Sequence, residues 1–266
     1  MGEAEAMKLS RRDLTLACGA LLAAFAVAAA LLFFDRGPRL IFAERADPPG
    51  FRNLMISDEA AGAGSGASSG VSSGVSPMPP IDLAARRPAA PLDICRALFD
   101  DPEDPRLGEG GPVAVFFTDF RCPYCRVLGA QLIQRAEAGK ITLIFKQWPV
   151  LGEASVSAAR AALAAARQGG YLKAHERLTA SPFVPNAAYA RDLARWQRLD
   201  PDRLIADFDG AEVAAQLART ADLAEALGLN GVPGLVVGRT VALRSMRPEL
   251  LDALIAEEAA LGPPPC

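Results

Sequence analysis

Phe116-Phe117-Thr118-Asp119-Phe120-Arg121-Cys122-Pro123-Tyr124-Cys125-Arg126 joins two different hydrophobic patterns. Before it, Val113 to Phe117 is an unbroken apolar run, which predicts a buried strand. After it, Val127, Leu128, Leu132 and Ile133 recur at helical spacing, which predicts a helix running to about Ala138. Cys122 and Cys125 therefore stand at a helix start, on one face, where their sulfurs can meet in a small ring. The helix N-terminus offers free N–H groups and the positive end of the dipole, and both favour the thiolate of Cys122. Pro123 fits the first turn, where its missing N–H costs nothing. The arrangement predicts that Cys122 attacks and that Cys125, deeper in the helix, resolves the mixed disulfide. A structural zinc is the competing use of a Cys-x-x-C, but it needs four ligands. There is no second Cys-x-x-C, one histidine (His175) and three other, scattered cysteines.

Working outward, Leu92 to Phe99 reads as a short helix, and Asp100 to Gly111 as a polar turn into the first strand. Ile141 to Phe145 is a second strand, rich in β-branched residues. Residues 153–229 read as largely helical, with Ala158 to Gln168 alanine-rich. Tyr171, Leu172, His175 and Leu178 form a helical stripe. Asn186 can cap a helix over Ala187 to Arg198, and Asp200-Pro201 is a cap followed by proline at the first helical position. A last inserted helix runs from about Ala211 to Leu227. Strand Leu235 to Val237, a turn at Gly238-Arg239, strand Val241 to Leu243 and a helix from Pro248 to Ala260 close the domain, leaving Gly262 to Cys266 as a frayed tail. The fold class is α/β, a strand–helix–strand unit interrupted by an all-helical segment.

The segment Phe117 to Cys125 resembles the active-site segment of the DsbA-like, thioredoxin-fold family of thiol:disulfide oxidoreductases. Phe145-Lys146-Gln147-Trp148-Pro149-Val150-Leu151-Gly152 looks like that family's segment after the second strand. Ala158 through His175 is similar to its first inserted helix, and Gly231-Val232-Pro233-Gly234 to its cis-proline loop. The likeness covers about residues 91–266. It implies a thioredoxin fold with a helical insertion at about 153–229, no prosthetic group because the cysteine pair carries the electrons, and no metal. It also implies that Pro233 is cis beside the dithiol, and that Val232 offers backbone groups to an extended substrate, as in strand addition.

Other positions tune or depart from that pattern. Lys146 and Asp119 are the nearest ionisable candidates for shifting the thiols, a cation favouring the thiolate. Thioredoxin-like proteins commonly carry a buried acid six residues before the first cysteine, and that position is Phe116 here. Strongly oxidising relatives have histidine where this chain has Tyr124, so a higher Cys122 pKa and a less oxidising disulfide are expected. Val232 resembles the oxidase side of the family, so the two cues conflict. His175 reads as a packed helix residue. Cys95 and Cys266 flank the domain, and whether they pair in an oxidising compartment is left open.

The first 36 residues read as a cytoplasmic tail and anchor: Leu14 to Phe34 is 21 residues without a charge, long enough to span a bilayer, with Lys8, Arg11 and Arg12 before it. A cleaved signal peptide is the alternative, with Ala28-Ala29-Ala30 as its site, and both readings export the rest of the chain. Residues 37–90 read as a flexible Gly/Ala/Ser/Pro linker, a leash spanning roughly 40 Å as a random coil. The expectation is a single-pass bacterial inner-membrane protein whose catalytic domain faces the periplasm. It would exchange disulfides with extracytoplasmic proteins as an oxidase served by a membrane redox partner. The alternatives are a reductase or isomerase kept reduced by a membrane donor, or a soft-metal (copper) binder. A net charge of −3 gives no reason to expect nucleic acid.

Overall fold

The decisive strand, β4 (Val113–Thr118), is buried from Ala114 to Thr118. Burial on both faces is why it reads as a continuous apolar run rather than an alternating one. The computed structural model describes residues 40–55, 92–243, 245–264 and 266. In it β4 pairs in parallel with β5 (Thr142–Gln147) and antiparallel with β6 (Gly234–Val237), which turns back into β7 (Thr240–Ala242). The turn needs Gly238, whose φ of 53° suits a residue without a Cβ. A two-residue strand, β3 (Arg106–Leu107), edges the sheet beside β5, where a plain turn was expected.

Helices cover both faces. Ala114, Phe116, Leu143 and Phe145 point to the side of α2 (Pro123–Glu137) and α8 (Pro248–Leu261). Val115, Phe117 and Ile144 point to the side of α1 (Ile94–Phe99) and α7 (Ala211–Ala226). Between β5 and α7 lie α3 (Glu153–Ala166), α4 (Tyr171–Ala180), α5 (Ala187–Gln197) and α6 (Pro201–Phe208). Their apolar faces join the α2–α8 layer, with Ala158, Ala161, Ala162, Ala164 and Ala165 of α3 buried at its centre. The caps are those the sequence signals: Asn186 accepts from the Tyr189 amide at 2.9 Å, and Asp200 from the Asp202 and Arg203 amides.

Two expectations need correction. The linker expected over 37–90 does not begin at 37, because β1 (Ile41–Glu44) and β2 (Arg52–Met55) form an antiparallel hairpin. β2 pairs in parallel with β7, so the hairpin extends the sheet to the order β1-β2-β7-β6-β4-β5-β3. Burial of Phe51 and Leu54 holds it, together with Arg52, which bonds Glu258 at 2.8 Å and the Thr240 hydroxyl at 2.8 Å. Four-residue strands carry too little periodicity to stand out from a Pro-Gly-rich surrounding. The tail is not frayed either. Cys266 is disulfide-bonded to Cys95 of α1, with Cα atoms 5.7 Å apart, and Arg239 donates to the carbonyls of Leu261, Gly262 and Pro263. The expected anchor, Leu14 to Phe34, and residues 37–39 and 56–90 of the expected linker lie outside the described residues. Among those described, no helix is long and apolar enough to cross a membrane.

Candidate active site: the dithiol at the start of α2

Cys122 is the N-cap of α2, with extended backbone and Pro123 following in the first turn. Its Sγ accepts the Cys125 amide at 3.2 Å and lies 3.8 Å from the Val232 carbonyl, toward which the thiol can donate. The Val232–Pro233 peptide is cis. The structure thus brings Cys122, Cys125, Pro123 and Val232 to one place, at the end of β4 and the start of β6. Tyr124 is half exposed beside them, while the two cysteines are only 4% and 3% exposed.

The two thiols are pushed apart. Cys122 is lowered to about 7, chiefly because the Cys125 thiol donates to it; burial opposes this, and the Cys125 and Tyr124 amides assist. Cys125 is pushed far above the ordinary thiol range, first by giving its proton to that bond and then by burial. The Thr118 hydroxyl and the Asp119 amide bond Cys125 and pull weakly the other way. One sulfur is thereby prepared as a thiolate and the other as its proton-bearing partner.

Of the two expected tuning residues, Asp119 acts on Cys122, and Lys146 lies across the sheet. Asp119 is buried, and its carboxylate accepts from the Arg121 amide at 2.7 Å, the Ser155 hydroxyl at 2.7 Å, and the Val150 and Leu151 amides at 2.9 and 3.0 Å. It ties the cysteine loop to the β5–α3 connection, and its charge raises the Cys122 pKa rather than lowering it. Lys146 alternates to the α1 side of the sheet, the same side as Ile144. There its ammonium pairs with the buried Asp104 and donates to the Ala97 carbonyl at 2.5 Å. Burial raises the Asp104 carboxyl to about 6 against the pull of Lys146.

Phe116 fills the position of the common acid with a fully buried ring, edge-on to Phe145 with centroids 6.5 Å apart. Beyond Phe145 lie Tyr171 and His175. His175 is buried against Phe120, its pKa lowered to about 4 by desolvation, so it is a neutral packed ring. Thr118, Ser155 and Asp104 were missed by sequence reasoning. Only the Asp119–Arg121 turn had a local signal, an Asp bonding the amide two residues on. The others meet their partners through the fold.

A thioredoxin family model matches residues 108–257. Among curated proteins, none matches. Of solved structures, a thioredoxin-like oxidoreductase from Silicibacter pomeroyi DSS-3 is 36% identical, with 63% of this chain and 98% of that chain covered and a TM-score of 0.57. The catalytic domain of Proteus mirabilis ScsC is 26% identical, covering 62% and 94%, with a TM-score of 0.55. A periplasmic thioredoxin-like protein from Salmonella enterica serovar Typhimurium is 28% identical, covering 63% and 96%, with a TM-score of 0.56. With the cysteine pair at the helix start and the fold around it, these likenesses establish that the chain belongs to the thioredoxin family as a DsbA-like thiol:disulfide oxidoreductase.

Proposed function

We propose that the chain is a membrane-anchored, extracytoplasmic disulfide donor. In this reading a substrate thiolate attacks Cys122 of the Cys122–Cys125 disulfide, and Cys125 leaves as a thiol after taking a proton. A second substrate thiolate then attacks its own mixed-disulfide sulfur, and Cys122 leaves as the thiolate. The substrate loses two electrons and the pair gains them, so no prosthetic group is required. A membrane partner reoxidises the dithiol. An extended substrate backbone would pair with Val232 in this reading, which the 3.8 Å approach of its carbonyl to the Cys122 sulfur supports. The apolar run Leu14 to Phe34 supports an anchor, and the periplasmic Salmonella protein supports export.

The observation that carries the reading is the dithiol at the helix start: the Cys122 sulfur, as N-cap, accepts the Cys125 amide at 3.2 Å, beside the cis Val232–Pro233 peptide. A reductase or isomerase is favoured by one specific observation. Tyr124 stands where strongly oxidising relatives carry histidine, which leaves the Cys122 thiolate with less support. Equilibration of the full chain in glutathione buffers separates the two. A reduction potential near about −120 mV supports disulfide donation, and one of about −230 mV or below overturns it in favour of a donor-fed reductant.

A further inference from the structure

The paired strands of the hairpin bury Phe42 and Leu54 on one face, and Phe51, just before β2, packs into the α1–α7 layer. The hairpin register sets Phe42 opposite Leu54 and Ile41 opposite Met55. Phe42 and Leu54 pack into the α2–α8 layer. Ile41 and Met55 turn the other way and are 62% and 55% exposed, with exposed Ala43 beside them. β1 is also the outer strand of the sheet. An apolar pair left open on an edge strand invites association, and soluble domains usually blunt such edges.

The chain that precedes the hairpin indicates what covers it. The apolar run ends at Phe34, and only Asp35 to Arg39 separate it from Leu40. Even fully extended, that connection reaches roughly 20 Å. Residues 56–91 do not add to this reach, because they leave from β2 and return to α1, both parts of the folded unit. We infer that the outward face of β1–β2, centred on Ile41 and Met55, rests on the lipid surface, so that the domain is held against the bilayer and not carried on a leash. The inference rests on the anchor reading of Leu14 to Phe34. Substrates and the reoxidising partner would then be met close to the membrane plane.

The test is photo-crosslinking of the full chain in vesicles of phosphatidylethanolamine and phosphatidylglycerol. Benzoylphenylalanine is placed at Ile41, Met55 or, as an exposed apolar control far along the chain, Phe183. Dithiol exchange activity of each variant checks its fold. The expected result is lipid adducts at Ile41 and Met55, lost on the companion change Ile41→Asp or Met55→Asp, and none above background at Phe183. A vesicle-bound chain without adducts at either hairpin position overturns the inference while leaving the anchor standing. Chain-to-chain adducts at Ile41 overturn it in favour of edge pairing between copies. A chain that does not sediment with the vesicles overturns both readings.

Discussion

Cys122 does its work through the groups that stabilise its negative charge. Three donors, the Cys125 thiol and the Cys125 and Tyr124 amides, outweigh burial and the nearby Asp119 carboxylate. Because the folded pKa is lowered to about 7 from an ordinary thiol value of 9.0, the unfolded dithiol binds the extra proton between those values. The reduced form therefore gains stability as pH rises through about 7 and loses it as pH falls below. The oxidised form has no such group. Urea unfolding of both forms across pH is expected to show the reduced-minus-oxidised difference growing from pH about 7 to about 9. A flat difference would mean that Cys122 is an ordinary thiol. The rate of attack on a model disulfide is expected to follow the same midpoint. Tyr124 in place of histidine led to the expectation of a modestly lowered thiol, and burial of both sulfurs reinforces it.

At the scale of elements, the informative feature is the link between β5 and α1. Lys146 sits beside Phe117 in the β4–β5 register, so strand alternation sends it to the α1 face whatever its charge could do for the thiols. Asp104, from the turn before β3, supplies the counter-charge, and the Ala97 carbonyl of α1 supplies a further acceptor. Removing one partner strands a charge in the interior. Asp104→Ala is expected to cost about 3–5 kcal/mol in urea unfolding, and pairing it with Lys146→Met to recover most of that loss. The Cys122 pKa is expected to stay put in both. A large shift in the Asp104→Ala chain would restore Lys146 as a tuning group.

The domain from Leu40 onward is closed at both ends by contacts remote in sequence. The Cys95–Cys266 disulfide joins α1 to the tail across a sequence separation of 171 residues. Cross-links over such long loops restrict the unfolded chain strongly, so Cys95→Ser with Cys266→Ser is expected to cost about 2–5 kcal/mol. The exchange potential of Cys122–Cys125 is expected to be unchanged. A shift in that potential would make the second disulfide part of the redox machinery. The hairpin is the other closure: Arg52 bonds Glu258, which is fully buried in α8 and also accepts from Thr240 and from the Arg239 amide.

Much of this was legible in the chain. The apolar run of β4, the helical spacing after Cys125, the Asn186 and Asp200 caps and the Gly238 turn are local signals, in which each residue's own backbone preference and its neighbours within a turn decide the outcome. So is the dithiol, whose spacing and helix-start position together specify its chemistry. The rest depended on partners brought from far away. Residues 40–55 look like linker until β7 offers an edge and Glu258 a buried counter-charge. Asp104 and Lys146, Asp119 and Ser155, and Cys95 and Cys266 are each separated by tens of residues or more. A charge or thiol shows its type in sequence, but its burial and its partner exist only once the sheet and its two helical layers have closed.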